Sequence, residues 1–152
     1  MTQTDWIVVI IAIVCVALAS LLVAAEVAFA SVSKSRAEAL AADGSRAGKR
    51  LQQMVADRAP FLNTLLFVRL LLEITATVLV AIVYVRHFPQ LWQQILFPVL
   101  TMVAVSFIVL GVAPRTLGRQ HVDKVALAAS GPVNAMATVL APIPQLMIVI
   151  GN

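Results

Sequence analysis

One cysteine, two histidines and seven acidic residues in 152 leave little for several kinds of chemistry. Cys15 has no partner for a disulfide within the chain, so it says nothing about redox compartment. His87 and His121 stand far apart, and no Cys/His run has the spacing of a zinc site. His87 reads as an exposed loop residue and His121 as interfacial. There is no Gly-rich phosphate loop and no nucleophile motif, which argues against an enzyme. Charged residues make up only 12% of the chain and hydrophobic ones 61%. The mean hydropathy is +0.98. A soluble domain of this length cannot hide so much apolar surface, so the class is all-α integral membrane protein.

A bilayer-crossing helix needs about 20 apolar residues. Residues 6–30, 61–85 and 91–110 meet that requirement. With flanking turns, the expected crossings are 6–33, 61–86 and 91–113. The first is too long for a signal-peptide core and has no basic leader before it, so it reads as a retained helix. Residues 125–150 are apolar too, but Pro132, Pro142 and Pro144 interrupt them. This stretch is either a fourth crossing or a proline-broken helix lying on the interface; the prolines favour the second. Segment 35–57 predicts two short helices with a turn at Asp43-Gly44 and Ser45 as the N-cap of the second. Leu40, Leu51, Met54 and Val55 give this pair an apolar face for the membrane surface or a partner.

The net charge is +4. In a soluble protein that would suggest nucleic acid; here the positions follow topology. Lys34, Arg36, Arg46, Lys49, Arg50 and Arg58 fall between the first two apolar runs. Arg115, Arg119 and Lys124 follow the third, and Arg86 alone marks the loop between the second and third. The positive-inside rule places the N-terminus outside and both the 34–60 loop and the C-terminus in the cytoplasm. No nucleic-acid partner is needed to explain the charge.

Two charges break the apolar pattern of the second run: Arg69 and Glu73, one helical turn apart. Each costs roughly 2.5–3.5 kcal/mol at a helix centre on insertion scales. Counting along helices at about 1.5 Å per residue, Arg69 lies about 13 Å and Glu73 about 19 Å into the membrane. Glu26, near the inner end of the first run, lies about 10 Å deep, and Gly111 about 6 Å inside Arg115. Gly111 and Pro114 predict a weakened helix whose carbonyls are freed at that depth. Two readings follow. Arg69 and Glu73 neutralise each other as a structural pair, or Glu26, Ser31, Glu73 and the freed carbonyls line an ion pathway. Hard cations such as Mg²⁺ take oxygen ligands; a fixed cation at Arg69 opposes a tight site.

Several motifs in this order resemble the transmembrane domain of the CorC/CNNM family, also called hemolysin-like. They are Glu26-Val-Ala-Phe-Ala-Ser31-Val-Ser33, Ser35-Arg36, Asp43-Gly44, Phe61-Leu-Asn-Thr64 and Gly111-Val-Ala-Pro114-Arg115-Thr116. Glu73-Ile-Thr-Ala-Thr77 and the Pro114–Gln120 stretch look like an actinobacterial-type branch. The resemblance implies a homodimer of three-helix units in the plasma (inner) membrane. It also implies short juxtamembrane helices at 35–57, an interfacial belt at 122–150 and Mg²⁺ movement, often extrusion coupled to Na⁺. Carried over by position, the family's cation site falls on Ser31, Arg69, Glu73, Gly111 and Val112. The expected ion pathway is Glu26, Ser31, Arg69, Glu73, Gly111 and Pro114, with Ser31, Glu73 and Gly111 as metal contacts. Beside lipid and a second copy, a further membrane or cytosolic partner is expected. The chain departs from the family pattern in three respects. Arg69 and Glu73 replace asparagines, Val112 replaces a glutamate, and Arg115 replaces a lysine. These departures carry the alternative of a non-transporting scaffold or regulatory paralogue in which Arg69 fills the cation position. No segment resembles the family's CBS pair.

Overall fold

The computed structural model describes residues 3–140. These residues form helices joined by short turns, with no strand among them. Helix α1 is Gln3–Ser31, α2 Lys34–Ala42, α3 Arg46–Ala56 and α4 Ala59–His87. Helix α5, Leu91–Val105, passes into a π-helical segment, Ser106–Val112, and then into α6, Ala113–Gln120; α7 is Val122–Leu140. Three helices among the described residues are long and apolar enough to cross a membrane: α1, α4 and the continuous run Leu91–Gln120. Many large apolar side chains on these helices are exposed, among them Leu21, Ile74, Val103 and Phe107, as lipid-facing surfaces require.

Helix α1 is the centre of the bundle. It packs most extensively on α4, and also on α6 and α7. Its buried face is built largely from small residues, including Ala12, Cys15, Ala19, Ala24, Ala25 and Ala28. Small side chains let neighbouring backbones approach, the usual basis of helix association in lipid, where burying apolar surface gives no advantage. Cys15, Ala76 and Met102 join α1, α4 and α5 near mid-bundle.

The second core lies where α1 ends. Ala25, Ala28, Phe29 and Val32 meet Leu51, Met54 and Val55 of α3, Leu65 of α4, and Ala126 and Val133 of α7. The apolar face of the α2–α3 hairpin is therefore spent inside the chain, not on the membrane surface or a partner. The turn itself follows the sequence. Gly44 has φ 77°, Ser45 Oγ accepts from the Gly48 amide, and Ser33 Oγ caps α2 through the Arg36 amide. Arg58 donates to the carbonyls of Ala30 and Val32, supplying partners for the end of α1. Arg36 Nε reaches Asp123 Oδ2 at 3.0 Å and ties α2 to α7. Hydrogen bonding to Asp123, then its charge, raises the Arg36 pKa, so the guanidinium stays charged. At the other end of the bundle, buried Asp5 receives Arg86 Nη1 at 3.2 Å and joins the start of α1 to the end of α4.

Two sequence expectations need correction or division. The Gly111–Pro114 region is not a break: the helix continues through it in π form. Wider π spacing absorbs the proline, because the Ala113 amide bonds five residues back to the Ile108 carbonyl. Pro132 lies inside α7 without ending it. Pro142, Pro144 and the remainder of the 122–150 belt lie outside the described residues.

Candidate functional site

Glu26 on α1 and Arg69 on α4 face each other across the most extensively packed helix pair in the bundle. Arg69 Nη1 stands 3.4 Å from Glu26 Oε2 and donates to it. The i,i+4 partner is held more loosely, with Arg69 Nε 4.0 Å from Glu73 Oε2. That Nε is buried and has no hydrogen-bond partner. Arg69 therefore leans toward Glu26, away from its neighbour one turn on. All three side chains are largely but not wholly shielded: 19% exposed for Arg69, 31% for Glu26 and 23% for Glu73.

The second oxygen of Glu73 finds a partner that sequence reasoning missed. Ser106 Oγ donates to Glu73 Oε1 at 2.8 Å. Ser106 is the first residue of the π-helical segment, so the bond links α4 to the start of the π turn. A lone serine in an apolar run carries no signal by itself; the periodicity of 91–110 could have placed it on the α4-facing side, but not at this distance.

A cavity of about 480 Å³ opens beside this pair. Arg69, Glu73 and Ser106 line it together with Gly111, Val112 and Arg115, and Val103, Phe107 and Leu110 supply its apolar wall. Of the residues named from sequence, Arg69, Glu73 and Gly111 thus share one space. Glu26 is attached to it through Arg69 and is not part of its lining. Ser31 does not line this cavity: it is exposed at the end of α1, and its hydroxyl donates to the Val27 carbonyl at 2.7 Å. Pro114 is buried against the bundle and shapes the π turn without facing the cavity. Thr77 is half-buried, and its hydroxyl donates to the Glu73 carbonyl of its own helix.

Among the described residues, no three His, Cys, Asp or Glu side chains group closely enough to hold a metal. The oxygen-bearing side chains that line the cavity are one carboxylate and one hydroxyl. Such a set does not strip a cation of its water.

Comparison with known proteins agrees with this architecture. Residues 10–152 match the family described as Cyclin M transmembrane N-terminal domain. Curated relatives include UPF0053 proteins of Mycobacterium bovis and Mycobacterium tuberculosis, each 36% identical over 140 residues. The match covers 92% of this chain and 32% of each relative, so the chain spans about a third of their length. The chain belongs to the cyclin M (CorC/CNNM, hemolysin-like) transmembrane-domain family, a family of membrane domains of metal-transporter-associated proteins.

Proposed function

We propose that this chain is the membrane domain through which Mg²⁺ or a related divalent cation leaves the cell. It works as a homodimer in the plasma membrane, with the N-terminus outside and the C-terminus in the cytoplasm. The observation that carries the reading is the unequal sharing of Arg69. Its closer contact is Glu26, at 3.4 Å against 4.0 Å to Glu73. Glu73 is thereby the carboxylate that Arg69 holds less closely, and it is the one that lines the cavity, hydrogen-bonded by Ser106. A passing hydrated cation meets Glu73 while Arg69 completes its shift to Glu26. Arg69 then acts as an internal counter-charge that keeps the empty pathway near neutral. Na⁺ is the coupling ion that the family resemblance supplies. Flux into or out of proteoliposomes, wild type against Glu73→Gln, tests this. Loss of Mg²⁺ flux in the variant is expected; equal flux would remove Glu73 from the mechanism.

A second reading, a non-transporting scaffold, is favoured by one observation. Arg115 joins Arg69 in lining the cavity, so two cations face a single lining carboxylate. This reading expects no change in thermal unfolding with millimolar Mg²⁺. A clear upward shift of Tm with Mg²⁺ counts against it.

A further inference from the structure

The cavity beside Glu73 does not end at Arg115. A second hollow of about 430 Å³ is lined by Gly111, Val112, Arg115, Thr116, Arg119 and Gln120. Gly111, Val112 and Arg115 belong to both. Together they form one groove along the outside of the π segment and α6, and its two halves differ in character. The upper half is walled by Val103, Phe107 and Leu110, with Phe107 70% exposed. The lower half presents Arg115, Arg119 and Gln120 and no acidic residue. Arg115 and Arg119 lie one turn apart on the exposed face of α6. Neither makes a hydrogen bond or ion pair among the described residues. Arg36, Arg58, Arg69 and Arg86 all have partners; Arg46 and Arg50 of α3 have none either, but they do not line this groove, so Arg115 and Arg119 are set apart by standing together beside an apolar wall.

We infer that this groove is a binding site for one anionic phospholipid. The phosphate sits between Arg115 and Arg119, and one acyl chain runs up the apolar wall toward Val103. Charge decides the headgroup, because two unpaired guanidiniums at the membrane interface match a phosphate diester, with Arg forks suited to its oxygens. Length decides the tail. From Arg115 to Val103 is twelve residues, at most about 18 Å along the helix because the π segment rises less per residue than an α-helix, which is close to half of a hydrocarbon core about 30 Å thick. The tail ends beside Ser106 and Glu73. Lipid and cation then compete for the same space, a consequence that alone rests on the transport reading; the lipid site itself does not.

The test is binding, not flux. Purified chain in detergent is melted with added phosphatidylglycerol, phosphatidylcholine or sodium phosphate, and lipid retained by the intact protein is counted by native mass spectrometry. Phosphatidylglycerol is expected to raise Tm well above the other two and to remain bound at one molecule per chain. Arg115→Gln with Arg119→Gln should weaken phosphatidylglycerol binding about 30-fold, taking each arginine at its typical value near an anionic surface. Val103→Trp, which fills the upper groove and leaves both arginines, should also remove the preference. Arg115→Lys with Arg119→Lys should keep part of it and serves where the neutral pair does not fold. Arg46→Gln with Lys49→Gln, basic residues away from the groove, should keep all of it. Four results would overturn the site: equal stabilisation by phosphatidylcholine, equal stabilisation by sodium phosphate, an unchanged preference in Val103→Trp, or efficient disulfide cross-linking of two copies through Phe107→Cys in a Cys15→Ala background. The last would mean that a second copy covers the groove.

Discussion

Ser20 Oγ donates to the carbonyl oxygen of Val109 at 3.0 Å, across 89 positions of chain. The reason lies in Pro114. In the π segment the Ala113 amide bonds the Ile108 carbonyl, so the next amide in register would serve Val109. That residue is Pro114, which has no N–H. Ser20 of α1 supplies the missing donor from the neighbouring helix. Ser20→Ala should therefore lower stability by about 0.6 kcal/mol, the average for a side-chain hydrogen bond between membrane helices. The cost should shrink in a Pro114→Ala background, where an amide is available. Denaturant unfolding of the four variants measures the coupling. The same cost in both backgrounds would mean that Ser20 does not stand in for the proline.

On the proposed transport reading, Ser106 acts as a positioning residue. It donates to Glu73 Oε1 and so fixes the carboxylate beside the cavity, with Oε2 near Arg69. Ser106→Ala is expected to weaken Mg²⁺ dependence of flux, raising the concentration for half-maximal rate more than it lowers the maximum. Ser106→Thr, which keeps the hydroxyl, should restore most of it. If Ala and Thr variants behave alike, the hydroxyl plays no part in placing Glu73.

Much of this architecture can be read from residues alone. Three apolar runs set the crossings because lipid demands about 20 apolar residues per helix. Asp43-Gly44 and Ser45 mark the hairpin because each residue type serves one local backbone need. Glu26, Arg69 and Glu73 stand out because charge in an apolar run is costly. What stays hidden depends on relations between helices. The burial of Leu51, Met54 and Val55 needs α1 and α7 to be in place before their face is known to be occupied. The π turn depends on how Pro114 is absorbed, and the weight of Ser106 depends on which face of the third crossing meets α4. Ser31 reads as a site residue from the residues and from the resemblance; that its hydroxyl donates to Val27 of its own helix is a matter of rotamer that sequence does not carry.

The Glu26–Arg69–Glu73 row makes a further prediction about stability. Arg69→Met leaves two shielded carboxylates without their cation and should cost about 2 kcal/mol, less than a fully buried pair because all three groups keep some exposure. Glu26→Gln should cost less, since Arg69 can then turn to Glu73. Combining Arg69→Met with Glu26→Gln should recover part of the loss, because only one carboxylate remains unpaired. Unfolding free energies of the two single variants and the double variant check the order. Strict additivity would show that Arg69 and Glu26 are not coupled.

The seat of α6 on α1 rests on one glycine. A Cβ at Gly118 would meet the Ala24 carbonyl oxygen at 2.6 Å and the Val27 Cβ at 3.1 Å. Both obstacles are backbone or stiff atoms, so α6 must move for the methyl to fit. Gly118→Ala should cost about 1–3 kcal/mol, the range for overpacking a tight contact. The gain in helix propensity, about 1 kcal/mol for Gly→Ala in a helix interior, offsets only part of the steric loss. Gly111 provides the contrast. Its Cβ would find only the Ser106 carbonyl, at an ordinary 3.4 Å. Gly111→Ala should accordingly be neutral or slightly stabilising, while narrowing the cavity it lines. Parallel thermal melts of the two variants decide the matter. A Gly118→Ala protein as stable as wild type would mean that α6 can shift along α1 freely, and that the groove beside Arg115 is not held in one shape.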